Sequence, residues 1–144
     1  MILMNTIKES IKSELHTGEP LQCKYECYLL KKRRFLVFLN GMVTKENLIE
    51  ICRDLKNCFQ EAEIKGGYND CKTIIVVAQT NNEFKSAELE LFDNDNTVVT
   101  FYLIDCDKQN SYYVKSPGPF MFGLSYTKFI KRINNVVDKE FHKQ

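Results

Sequence analysis

The sequence predicts an α+β domain: a largely antiparallel sheet of five or six strands covered by three helices, in the order α-β-β-α-β-β-β-(β)-α. Three observations carry this expectation. Two long segments, 44–62 and 126–141, step their apolar residues by three and four, the period of a helix with one buried face. Between them lie short runs that alternate in polarity or are rich in Val, Ile, Phe and Tyr, as strands are. Neighbouring runs are joined by connections of hairpin length. The 144 residues suit one domain, 1–144, without internal repeats or linkers.

Thr6-x-x-Glu9 has the form of a capping box and opens a short helix with Ile7, Ile11 and Leu15 on one face. Gly18 and Pro20 end it. Residues 21–29 alternate, with Leu21, Cys23, Tyr25, Cys27 and Leu29 on one side, as in a half-buried strand. The basic run Lys31, Lys32, Arg33 and Arg34 turns the chain into a second strand, 35–39, which Asn40-Gly41 terminates. Thr44 caps a long helix striped by Leu48, Ile51, Cys52, Leu55, Cys58, Phe59 and Ala62, and Gly66-Gly67 stops it. Strands follow at 73–79, 87–92 and 98–104, with an Asx-rich turn at 93–96. The last of these is almost wholly apolar, so both its faces are expected to be covered. Residues 112–114 add a short sixth strand at an edge. After Pro117-Gly118-Pro119, the final helix carries Tyr126, Phe129, Ile130, Ile133, Val137 and Phe141 inward, and Lys128, Lys131 and Arg132 outward. This element order is similar to that of roadblock-type (profilin-like) modules and, more loosely, of secretion-chaperone folds. The analogy is one of order alone.

Twenty basic and nineteen acidic residues leave a formal charge of +1, which provides no global attraction to nucleic acid or anionic membrane. No apolar run approaches the ~20 residues needed to cross a bilayer. The first residues become polar too soon for a secretory signal, so a cytoplasmic protein is expected. In that compartment the six cysteines, at 23, 27, 52, 58, 71 and 106, are expected to be buried thiols rather than disulfides.

Catalytic patterns are weak. His16 and His142, the only histidines, lie near the chain ends, and no nucleophile elbow accompanies them. Cys23 and Cys27, four strand residues apart, would be separated by roughly 13 Å. That is too far to share a zinc ion with ligands at ~2.0–2.3 Å. The loops from Asp93 and Asp105 lack the glycine and glutamate that an EF-hand needs. Neither cofactor nor metal is therefore expected. Asp70 followed by Glu83-Phe84-Lys85 resembles the acid and glutamate-x-lysine motif of restriction-endonuclease-like nucleases, in which two carboxylates hold magnesium. A hairpin of 73–79 with 87–92 would hold those acids roughly 20 Å apart.

Two binding features remain. Lys31, Lys32, Arg33 and Arg34, together with cations of the last helix and a stacking tyrosine at 112 or 113, suggest nucleic-acid binding. Phe120, Met121, Phe122 and Leu124 crowd large apolar groups into a Pro/Gly-flanked connection, where interface residues are commonly found. The expected function is a non-enzymatic protein-interaction module, self-associating or an accessory subunit. A nucleic-acid-binding module and a metal-dependent nuclease are the alternatives.

Overall fold

The computed structural model describes residues 2–31, 34–61, 72–81, 97–115 and 123–143. The elements are α1 (Ile2–Leu15), β1 (Glu26–Lys31), β2 (Arg34–Val43), α2 (Leu48–Glu61), β3 (Lys72–Thr80), β4 (Thr97–Asp105), β5 (Asn110–Lys115) and α3 (Gly123–His142). Among the described residues this is an α+β architecture of three helices and a five-stranded sheet in the order β1-β2-β3-β4-β5.

The sheet is mixed, which corrects the expectation of a largely antiparallel one. β1 pairs with β2, and β4 with β5, antiparallel, but β2–β3 and β3–β4 are parallel. The reason is a crossover: α2 carries the chain from the end of β2 back to the end where β2 began, so β3 must run alongside it. β3 is flanked by β2 on one edge and β4 on the other, so the expected hairpin of 73–79 with 87–92 has no free edge to form on. Residues 87–92 lie outside the described residues.

Alternation along the inner strands builds two cores. Phe35, Val37, Ile74, Val76, Val99, Phe101 and Leu103 pack beneath Leu48, Cys52 and Leu55 of α2. On the other face Leu36, Phe38, Ile75, Val77, Tyr102 and Ile104 pack beneath Ile7, Ile11 and Leu15 of α1 and Ile130, Ile133, Val137 and Phe141 of α3. Strands buried on both faces read as continuous apolar runs, as expected for 98–104.

Three boundaries differ from expectation. α1 starts at Ile2, four residues before Thr6, because Leu3 and Met4 continue its apolar face onto the core. It ends in a Schellman motif: His16 takes a φ of 53°, its N–H reaches Ser13 O at 3.3 Å, and Thr17 N reaches Lys12 O at 3.2 Å. β2 runs through Asn40-Gly41 to Val43, and its register against β3 shifts between Phe38 and Met42. At α2, Thr44 behaves as expected of a cap. Its Oγ1 accepts from Asn47 N at 3.3 Å, and Asn47 Oδ1 accepts from Thr44 N at 2.8 Å.

No helix among the described residues is long and apolar enough to cross a membrane.

Candidate functional site

A groove of about 560 Å³ runs between the β4–β5 edge and α3. Its floor follows from strand parity. Tyr102 of β4 faces the α3 layer, and its cross-strand partner is Tyr113 on β5; Ser111 lies two pairs further along, on the same face, opposite Ile104. On α3, Ile130 and Ile133 turn inward, which leaves Asn134 beside the stripe and aimed at Tyr102. The Tyr102 hydroxyl donates to Asn134 Oδ1 at 2.7 Å and lies 2.9 Å from Ser111 Oγ. Having one hydrogen, it accepts from Ser111. Asn134 Nδ2 in turn faces Asp138 Oδ2 at 3.5 Å.

Burial pushes the Tyr102 phenol up to about 12, against the Ser111 hydrogen bond and with the help of the Asp138 charge. At neutral pH the floor is thus a neutral chain of hydroxyl and amide groups. It holds hydrogen-bond partners in place. Tyr113, Ile130 and Lys131 line the walls, and Tyr113 is 53% exposed, whereas the Tyr112 side chain packs on the α2-side core. Among the described residues β5 pairs only with β4 and is the last strand of the sheet on the side of the groove.

A second cluster lies on the α2 side. Residues 22–25 bend instead of extending β1, and Leu21 N donates to Cys27 O at 2.8 Å. Sequence reasoning missed this bend because the alternation of 21–29 is genuine: Leu21, Cys23 and Tyr25 do pack on the α2-side core. The side chains face as a strand would place them, while the backbone leaves the ladder. Tyr25 O–H donates to Asp54 Oδ2, and Lys24 Nζ reaches the same oxygen at 2.9 Å. These two partners, Tyr25 first, hold the Asp54 carboxyl below its ordinary range.

The bend also brings Cys23 Sγ to 3.5 Å from Cys58 Sγ on α2. Cys27 lies close by. Burial, then the neighbouring Cys23 and Cys58, push its thiol up to about 12. The 13 Å strand separation expected for Cys23 and Cys27 therefore does not apply. None of the described cysteines is in a disulfide; Cys27 and Cys52 are buried, whereas Cys23, Cys58 and Cys106 are half-buried. Cys71 lies outside the described residues.

Of the residues singled out from sequence, Phe120, Met121 and Phe122 lie outside the described residues, and Leu124 falls in the first turn of α3. Lys31 is exposed and pairs across the hairpin with Arg34; Lys32 and Arg33 lie outside the described residues. The nucleic-acid reading combined this basic turn with Tyr112 and Tyr113. They sit on opposite edges of the sheet, about 19 Å apart across four strand spacings, and do not form one surface. Asp70, Glu83 and Lys85 also lie outside the described residues, and the 20 Å separation expected for the two acids rested on the hairpin that β3 has no edge to form. His16 and His142 are exposed. Asp105 Oδ1 accepts from Asp107 N and Lys108 N at 3.1 and 3.0 Å, which is turn chemistry. Among the described residues no group of three or more His, Cys, Asp or Glu is arranged to hold a metal ion.

No family model matches the chain, and neither a curated protein nor a solved structure is found similar to it.

Proposed function

We propose that this chain is a protein-interaction module, a homo-oligomer or an accessory subunit of a larger assembly, and that it receives its partner along β5 and the adjoining groove. The observation that carries this reading is the groove itself: a channel beside the last described strand, with exposed Tyr113 on its wall and a polar floor that is already hydrogen-bonded. An extended segment of a partner can add to such a strand through backbone hydrogen bonds while its side chains enter the channel. Tyrosines suit this task, because each offers a large rigid surface and a polar tip at low entropic cost. The apolar stretch Phe120, Met121, Phe122 and Leu124 supports the same reading, since in sequence it joins the two elements that wall the groove. The element order, similar to that of roadblock-type modules, agrees with it by analogy.

The test is association. The wild-type chain is measured by light scattering over a range of concentrations, and a tagged form is used to capture partners. Tyr113→Asp and Phe122→Asp are expected to weaken the resulting complex at least tenfold while circular dichroism stays unchanged. A wild-type chain that remains monomeric and captures nothing ends this proposal. Salt-sensitive binding of short RNA or DNA, lost on replacing Lys31 and Arg34, would instead favour the basic turn.

A further inference from the structure

We propose that Cys23 and Cys58 form a reversible dithiol–disulfide pair, oxidised by exchange with a low-molecular-weight disulfide of the glutathione class. Their sulfurs lie 3.5 Å apart although 35 positions separate them in sequence. A disulfide requires ~2.05 Å, so the sulfurs must approach by about 1.5 Å. Cys23 can supply that movement because it rides on the 22–25 bend, outside the sheet ladder. Accessibility distinguishes this pair from its neighbours. Cys23 and Cys58 are half-buried, while Cys27 and Cys52 are fully enclosed in the α2-side core. Cys106, also half-buried, packs on the opposite face of the sheet.

The exchange takes two steps. Cys23, as thiolate, attacks one sulfur of the small disulfide. A new S–S bond forms to Cys23, the old one breaks, and one small thiolate leaves. Cys58 then loses its proton and attacks the Cys23 sulfur, forming the Cys23–Cys58 bond and releasing the second small thiolate. Two protein thiols give up two electrons, the small disulfide takes them, and the two protons released by the cysteines end on the two small thiols. The order of attack follows from the surroundings of Cys58. Burial first, then Cys23 and Asp54, raise its thiol against the backbone N–H of Lys24, and Cys58 is fixed on helix α2, whereas Cys23 rides on the bend outside the sheet ladder and can turn to the incoming disulfide first. Once formed, the bridge fixes the bend to α2 beside the Tyr25–Asp54 contact and sets the wall of the cleft of about 340 Å³ that those residues line.

The full chain, folded at neutral pH, is equilibrated with oxidised glutathione, quenched in acid, alkylated and mapped by mass spectrometry. The expected product has lost two hydrogens and gives a linked peptide pair containing Cys23 and Cys58. Of its six cysteines, the four outside the bridge (six less two) remain open to alkylation, and dithiothreitol restores all six. Cys58→Ser is expected to stop at a glutathione adduct on Cys23, and Cys106→Ser to leave the bridge unchanged. The same oxidation in guanidinium, where the native contact is gone, should yield a mixture of pairs. Six free thiols in the folded chain at an oxidant level that bridges the guanidinium sample, or a principal bridge between any other two cysteines, overturns the proposal.

Discussion

The two faces of the sheet are closed by different means. Over one, α1 and α3 lie side by side, and their apolar residues form a continuous cover. The rim of that face is tied by polar contacts: Ser10 Oγ donates to Glu140 Oε1 at 3.0 Å, Lys8 Nζ lies 2.5 Å from Glu26 Oε1, and Arg132 Nε lies 3.6 Å from Glu14 Oε1. The other face has one described helix. A helix is about 10 Å wide and the sheet about 19 Å, so α2 alone leaves part of the face uncovered. The irregular stretch Leu21–Tyr25 packs onto the β1 side of it. The bend brings Cys23, Lys24 and Tyr25 against Cys58 and Asp54 of α2.

The comparison can be broken most directly by cavities. Ile133 and Leu55 are both fully buried, one under α3 and the other under α2. Large-to-small substitutions cost more where the surroundings cannot collapse. Ile133→Ala, enclosed by two helices and the sheet, is expected to lose about 4 kcal/mol, and Leu55→Ala, next to irregular chain that can settle inward, about 2.5 kcal/mol. Urea unfolding of both variants measures the order. The reverse order would mean that the bend is as rigid as a helix.

A smaller effect sharpens the same contrast at Tyr102, which is buried under α3 with both its hydroxyl contacts satisfied. Tyr102→Phe removes them and is expected to cost about 1.5 kcal/mol at neutral pH. The alkaline behaviour has a definite sign. Burial raises the phenol from its ordinary 10.0 to about 12, so the unfolded chain ionises first. The corresponding stability is fully present below pH 10.0 and is lost as the pH rises toward about 12. Alkaline unfolding curves of wild type and Tyr102→Phe should therefore converge over that interval. Parallel curves would show that the hydroxyl ionises freely in the folded chain.

Much of this contrast was legible in the residues. The stripes Leu48, Cys52, Leu55 and Ile130, Ile133, Val137 announced α2 and α3, because a 3.6-residue period survives any tertiary arrangement. The strands β2, β3 and β4 were equally visible as apolar runs. Their direction was not, because the sequence of β3 is the same whether its neighbour runs with it or against it. Direction is decided by the end to which a connection returns, and only the α2 crossover could have hinted at it. For the same reason the main groove was invisible: Ser111 meets Tyr102 only through the β4–β5 register, and Asn134, 32 positions away on α3, only through the packing of that helix on the sheet. The thiol pair was hidden by a correct observation. Alternation at 21–29 identified the buried side chains and concealed the backbone bend that brings Cys23 to Cys58.

The smallest expected effect compares one carboxylate from each face. On the α1 side, burial tends to raise Glu26, but Lys8 and Tyr28, with Lys12 nearby, outweigh it and hold the carboxyl below its ordinary range. On the α2 side, Tyr25 and Lys24 lower Asp54. Both groups therefore contribute stability above the pKa of the unfolded carboxylate, and both contributions disappear as pH falls through the lower folded value. Solvent decides their relative size. The Glu26 side chain is 25% exposed and the Asp54 side chain 37%, so water screens the Asp54 contacts more. Glu26→Gln is expected to cost about 1 kcal/mol at neutral pH and Asp54→Asn about 0.4 kcal/mol. Each difference from wild type should vanish in acid, as followed by urea midpoints at a series of pH values. A larger acid-sensitive loss at Asp54 would mean that the bend is held to α2 by charge more firmly than α1 is held to β1, and the two faces would then differ in the opposite sense.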